Sequence, residues 1–298
     1  RNRNMVCIHN AVKVTVQDRT MYHCPALRQT RETAQMQISL SSRTALISGS
    51  DRNTGRVIAS ALQRAGAEVV VHSNESLAAA EAAASETGAI AAVYGNIATE
   101  PGCDSVLSQL QELKNPVNIL VNNYGTAGFA RWDTATTEQW LDMYQKNMLC
   151  VARLVQGIVP SMQIAGWGRV INLGTIGSHR PGHTMPHYYA AKGALATYSV
   201  SLCQALAGTG ITVNTVSPGL IHTPDLEAGY RARARKQGRA DNRADILPHI
   251  VKEDFPNPCD RLATREEVAD LVVFLASDNA SVINGQNIRI DGGAIAYV

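Results

Sequence analysis

From Arg43 onward, short and continuously apolar runs alternate with longer stretches of helical spacing. "RTALIS" (43–48) leads through "GSDRNTG" into "RVIASALQRAG", and "AEVVVHS" (67–73) leads into the alanine-rich "ESLAAAEAAASETG", which Gly88 stops. "AIAAVYGN" precedes "EPGCDSVLSQLQELK", a helix with Pro101 near its start, and "VNILVNN" (117–123) precedes one long helix over 136–164. "GRVINLG" (168–174), a helix running from Tyr188 to Ala207, and "ITVNTVS" (211–217) follow. "TREEVADLVVFLAS" (264–277) opens on a Thr264-x-x-Glu267 capping box, and "QNIRIDGG" closes the pattern.

Strands that are apolar at every position, rather than at alternate ones, are buried on both faces, as in a parallel sheet covered by helices. The regular strand–helix alternation therefore predicts an α/β fold, a single Rossmann-like doubly wound parallel sheet with helices on both faces, over residues 43–298. Ligands of such sheets bind beyond the carboxyl ends of the strands. That rule lines up the turn after 48, the turn at Asn122 and the residues after Gly174 along one crevice.

Composition narrows the partners. A net charge of +2 argues for neither nucleic acid nor an acidic partner, and the most basic run, Tyr230 to Arg239, reads as a solvated helix face. Six cysteines without a CxxC pair read as reduced thiols of a cytoplasmic protein. No run of about 18 consecutive apolar residues marks a membrane span. Residues 1–42 carry several arginines, few acids and no clear period. They are expected to be a disordered extension, or sequence upstream of a start at Met36.

The first strand runs into "SGSDRNTGR". Gly49 permits a tight turn and Gly55 lets the next helix approach the sheet, so the amides between them, Arg52, Asn53 and Thr54 included, face a pyrophosphate at the helix N-terminus. The second strand ends in His72, Ser73 and Asn74 rather than an acid, and Arg52 lies in the loop. A basic group beside neutral donors favours a 2′-phosphate, hence NADP(H) over NAD(H).

"HTMPHYYAAKGAL" (183–195) places Tyr188 and Tyr189 just ahead of Lys192. Residues three or four apart share a helix face, so spacing alone leaves both tyrosines open as the lysine's partner. A phenol with pKa near 10 needs to lose about 1.5 units to work as a base near neutrality, a differential cost of about 2 kcal/mol. An ammonium about 4 Å away at an effective dielectric near 20 contributes up to about 4 kcal/mol. The sequence thus predicts a lysine that acidifies a tyrosine for acid–base work.

Together these stretches resemble the short-chain dehydrogenase/reductase family. Ser48, Gly49 and Gly55 match its T-G-x-x-x-G-x-G loop, with Asn53 in place of the middle glycine, a position where Asn tolerates φ > 0. "VNNYG" resembles its N-N-A-G turn, with Asn122 at the cofactor and Tyr124 in place of alanine. "VINLGT" resembles the strand ending in the family serine, and counting 13 positions from Thr175 selects Tyr188. The Y-x-x-x-K pattern then pairs Tyr188 with Lys192 and turns Tyr189 elsewhere.

The resemblance implies catalytic roles for Tyr188, Lys192, Thr175 and Asn147, the last as a proton relay through water and Lys192. It implies cofactor contacts from Gly49, Arg52, Asn53, Thr54, Gly55, Ser73, Asn74, Asn96, Ile97, Asn122, Tyr188 and Lys192. The P-G-x-x-x-T segment adds Pro218, Gly219 and Thr223. Thr175 keeps the serine's hydroxyl but adds a methyl and a stiff χ1, so a narrower substrate range is expected. Residues 222–258 are expected to form a mobile helical cover.

The implied activity is hydride transfer between a nicotinamide cofactor and a small carbonyl or secondary alcohol, of 3-oxoacyl or ketone reductase type, in a homodimer or homotetramer. The alternative is a dinucleotide-binding sensor or interaction protein that has lost turnover. The family's dehalogenase-like branch fits less well, because Lys192 and the Gly49–Gly55 loop are retained. His179, His183 and His187 recur every four residues, but Pro181, Gly182 and Pro186 interrupt any helix that would align them. No metal is expected.

Overall fold

Strands β1 (Thr44–Ile47), β2 (Glu68–Ser73), β3 (Ala91–Tyr94), β4 (Ile119–Asn122), β5 (Gly168–Leu173), β6 (Ile211–Pro218) and β7 (Asn287–Ile290) pair in parallel throughout. Among the described residues they make one sheet of order 3-2-1-4-5-6-7. This computed structural model describes residues 38–296. Residues 1–37, including Met36, lie outside that range. Within it, Leu40 is already buried, and its amide donates to Ala65 O at 2.7 Å.

The predicted doubly wound sheet is present, and its continuously apolar strands are buried on both faces. Ala45, Ile47, Val69, Val71 and Val121 point to one side, where α1 (Asn53–Arg64) and α9 (Arg265–Ala276) supply Ile58, Leu62, Val268, Val272 and Leu275. Leu46, Val70, Leu120 and Val170 point to the other. There α3 (Glu100–Gln111), α5 (Cys150–Ala165) and α6 (Pro186–Ala205) supply Val106, Leu154, Ile158 and Leu195. Alternating side-chain directions along each strand thus feed two cores.

Local signals end the helices where the sequence suggests. Gly88 caps α2 (Leu77–Thr87) in the left-handed region at φ 71°. Thr264 Oγ1 accepts the Glu267 amide at 3.1 Å while the Glu267 carboxylate accepts the Thr264 amide at 2.8 Å, completing the capping box.

The long helix predicted over 136–164 departs from regularity. It comprises α4 (Thr137–Tyr144), a π-helical turn at Gln145–Leu149, and α5. By length and composition, Thr137–Ala165 would suffice to cross a membrane. Its Leu154, Val155, Ile158, Val159 and Met162 are packed into the core instead.

The order reverses between β1 and β4, each of which pairs with a different neighbour beyond it. That switch opens a crevice at the carboxyl ends of the strands. Over residues 222–258 lie α7 (Pro224–Lys236), α8 (Arg243–His249) and a second π-helical turn at Ile250–Asp254.

Candidate active site

The crevice begins at the turn after β1. Gly49 adopts φ 61° and Asn53 φ 48°, both left-handed. A Cβ on Gly55 would lie 2.4 Å from Gly49 O and 2.5 Å from Asn123 Nδ2, so only glycine lets α1 approach this closely. Ser48 Oγ accepts the amides of Asn123 and Tyr124 at 3.1 and 3.0 Å, and Asn123 Nδ2 donates to Ser48 O and Gly49 O at 3.0 and 2.8 Å. The turns after β1 and β4 are therefore one braced unit. Gly49, Arg52, Asn53, Thr54, Gly55, Asn74, Asn123 and Tyr124 line the groove it forms.

Toward the end of β2, His72 turns inward against the loop. The ring is buried, Nδ1 accepts the Gly49 amide at 2.9 Å, and Nε2 lies 2.9 Å from Gly95 O. That geometry fixes the neutral tautomer with hydrogen on Nε2. Burial also pulls its pKa down. His72 thus braces the loop and offers no cation to a 2′-phosphate. Ser73 is buried and donates to Asp51 Oδ2 at 3.0 Å. Asn74 ties the ends of β2 and β3 together, accepting the Ile97 amide at 2.9 Å and donating to Asn96 Oδ1 at 3.1 Å. Arg52 pairs with Glu75 at 2.9 Å, and both side chains line the groove.

A second cavity continues the first, sharing Thr54, Asn123, Gly125 and Thr126, and ends at Gly174, Tyr188, Lys192 and Pro218. Lys192 and Tyr188, four apart on α6, face the same space as expected. The Lys192 ammonium is buried and donates to Leu173 O at 2.7 Å. Asn147 sits within the π-helical turn with no solvent exposure, its Nδ2 donating to Thr126 O at 2.9 Å and Met143 O at 3.0 Å. A Cβ on Gly125 would fall 2.7 Å from Asn147 Oδ1 and 3.1 Å from Lys192 Nζ, so both groups converge over this glycine.

The electrostatics differ from the sequence expectation. Burial pushes the Tyr188 phenol up to about 12, with the neighbouring Thr175 hydroxyl pulling it partly back. Burial also drives Lys192 down to about 8. Desolvation of the phenolate sets the direction for Tyr188, and Lys192 is itself desolvated while donating to Leu173 O. With its pKa raised, the Tyr188 phenol carries its proton at neutral pH.

The remaining predicted residues divide. Thr175 Oγ1 accepts the Gly177 amide at 3.2 Å and lies at the rim of a further cavity with Gly219. Thr223 caps α7, its hydroxyl accepting the Leu226 amide at 3.1 Å. Asn122 is buried behind the groove, donating to Asn172 Oδ1 at 2.8 Å. Ser73, Asn96 and Ile97 support the groove without lining it. Sequence reasoning missed Asn123, Gly125 and Thr126. The doubled asparagine after β4 was the available signal, but the strand's end had to be known before the groove-facing member could be chosen.

The crevice has the features a dinucleotide requires. Its floor is a glycine turn that any Cβ would fill, the N-terminus of α1 faces it, and its inner end holds one buried, unsatisfied acceptor, Asn147 Oδ1. The residues present fit a nicotinamide coenzyme.

Comparison with known proteins agrees with the geometry. Residues 49–294 match a family model described as enoyl-(acyl carrier protein) reductase. The chain is 30% identical to the uncharacterized oxidoreductase YvaG of Bacillus subtilis, over 88% of this chain and all of that protein. It is 33% identical to the 3-oxoacyl-[acyl-carrier-protein] reductase FabG of Escherichia coli, over 84% of this chain and 96% of that one. The structure of L-sorbose reductase from Gluconobacter frateurii, complexed with NADPH and L-sorbose, superposes with a TM-score of 0.82 at 29% identity, covering 88% of this chain and all of that one.

Fold, site and relatives define an NAD(P)-dependent oxidoreductase, an enzyme that moves hydride between nicotinamide and a carbonyl or secondary alcohol. The alternative of a binding protein without turnover is not favoured by these relatives. Within that class, the chain belongs to the short-chain dehydrogenase/reductase family.

Proposed function

We propose that the enzyme reduces a ketone with NADPH, and that Tyr188 is its proton donor. The observation that carries this reading is the shared cavity in which a protonated Tyr188 and a buried Lys192 meet the end of the glycine-floored groove. The coenzyme, when bound, supplies the hydride. Tyr188 gives its proton to the substrate oxygen, and Thr175 orients that oxygen through its hydroxyl. Lys192, still largely charged near pH 7, stabilises the developing phenolate and returns a proton to it. The vacant acceptor on Asn147 holds a water on that relay, satisfying an oxygen that is otherwise costly to bury.

Gly49, Thr54 and Gly55 would bind the pyrophosphate through their amides. Pro218, Gly219 and Thr223 would frame the nicotinamide, while Ser73, Asn96, Ile97 and Asn122 hold the adenosine side in shape. Asn53 and Arg52 border the phosphates. The preference for NADP(H) is supported by Arg52 in the groove, by a β2 that ends in His72 and Ser73 rather than in an acid, and by the NADPH complex of L-sorbose reductase. Glu75 does not veto it. Its pair with Arg52 is exposed, and such pairs are worth about 0–1 kcal/mol, so a phosphate dianion competes for the guanidinium.

Exposed Trp140, Leu141 and Tyr144 on α4 favour assembly into a homodimer or homotetramer. The cysteines at 103, 150, 203 and 259 are free thiols, which suits a cytoplasmic enzyme.

The test is a panel of ketones and alcohols with NADPH and with NADH, followed at the nicotinamide absorbance. Reduction of at least one ketone, faster with NADPH, is expected. A protein that binds NADPH yet reduces no ketone would favour the sensor reading instead.

A further inference from the structure

Beyond the coenzyme crevice, a cavity of about 510 Å³ opens between the short turn Ile176–Ser178, the covering segment and residues 294–295. This is enough room for a small molecule. Thr175 and Tyr189 belong to its wall, with Tyr230 and Phe255 opposite, and its charged side chains are Arg180 and Asp254. Asp254 is already paired, its Oδ2 accepting from Arg233 Nη1 at 3.0 Å. Among the described residues no carboxylate pairs with Arg180. The charge left on this cavity is therefore one guanidinium, exposed at its rim.

Its position is built by the fold. The Arg180 amide donates to Ile176 O at 2.9 Å, closing the turn that starts at Thr175. Tyr189, which the sequence turned away from the site, is the post around which this segment bends. A Cβ on Gly177 would collide with the Tyr189 ring at 2.1 Å, and one on Gly182 would lie 3.7 Å from its hydroxyl. Arg180 sits between those glycines. The Tyr188 and Tyr189 ring centroids are 5.6 Å apart, and Thr175, whose hydroxyl neighbours the Tyr188 phenol, belongs to the wall of this cavity.

We propose that Arg180, assisted by the Tyr189 hydroxyl, is a subsite for an anionic group carried by the substrate. The substrate is then a short oxo acid, with its carbonyl at Tyr188 and its carboxylate at Arg180. A guanidinium matches a carboxylate with two parallel hydrogen bonds, and Asp254, the carboxylate on the wall, already has Arg233 as its partner. A phosphate has the same chemistry, so both anions enter the test. The inference rests on the ketone-reducing reading above.

The experiment compares kcat/KM for acetoacetate against its methyl ester, and for dihydroxyacetone phosphate against dihydroxyacetone, in wild type, Arg180→Gln and Arg180→Lys. The wild type is expected to prefer the anionic member of one pair by about tenfold or more, the scale of a charge-assisted hydrogen bond. Arg180→Gln should collapse that ratio toward one and Arg180→Lys should retain part of it. The pair that shows the preference identifies the anion. Calorimetry of the same anions on NADPH-loaded Tyr188→Phe, with and without Arg180→Gln, reports binding independently of turnover. Binding that depends on Arg180 without any turnover would uphold the subsite and defeat the ketone-reducing reading. A ratio unmoved by Arg180→Gln, or no anion binding in the calorimeter, would overturn the subsite.

Discussion

In the proposed mechanism two neighbouring side chains set the chemistry. Tyr188, held up to about 12, keeps its proton at any physiological pH, while Lys192, brought down to about 8, changes charge within the working range. Below about 8 the ammonium is present and can replenish the phenol. As pH rises through about 8 it becomes neutral and the relay loses its cation. Reductive kcat/KM should therefore be level below pH 7 and fall as pH rises past about 8, about tenfold per unit at the steepest. A profile level to pH 10 would remove Lys192 from the proton path. Spacing to Lys192 left both tyrosines open, and only the family resemblance, through the count of 13 positions from Thr175, singled out Tyr188. The direction of the Tyr188 shift was not legible, because it depends on how much water the folded site excludes. His72 was opaque for the same reason: its sequence position says only that it ends a strand, and its two hydrogen bonds are tertiary.

At the level of elements, the π-helical turn at Gln145–Leu149 and the loop before α1 are the irregular parts. A π turn has no periodic signature distinct from an α-helix, so the sequence read one smooth helix, yet this turn carries Asn147 beside Gly125. The loop was more transparent. A residue other than glycine in its middle position had to tolerate positive φ, and Asn53 adopts φ 48°. What no local rule announced is that Asn53 Nδ2 reaches Asp225 Oδ2 at 2.6 Å, tying the phosphate turn to the first turn of α7. Removing either partner should loosen that helix. Hydrogen exchange of α7 amides should rise about three- to tenfold in Asn53→Gly and in Asp225→Ala, the double variant adding little to either single one. Unchanged exchange would mean that the covering segment is held by its apolar contacts alone.

Across the whole molecule, the parallel sheet and its crevice followed from hydrophobic patterning because β1, β2, β4 and β5 carry apolar side chains on both faces and so join the two cores. The same topology brings together residues as distant as Gly49, Asn147 and Tyr188 at the strands' carboxyl ends, so motif order along the chain was enough to anticipate one site. Which residues face the groove depended on where each strand stops, and Asn123 was lost to Asn122 on that point. The proposed mechanism requires one proton donor, Tyr188, at the end of the groove. The most direct measurement is NADPH binding and ketone turnover of Tyr188→Phe beside Tyr189→Phe. Tyr188→Phe is expected to bind NADPH within about threefold of wild type while losing turnover by about 10²-fold or more, whereas Tyr189→Phe, which keeps the proton donor, should raise KM for an anionic ketone and leave kcat close to wild type. Full turnover in Tyr188→Phe would contradict the assignment.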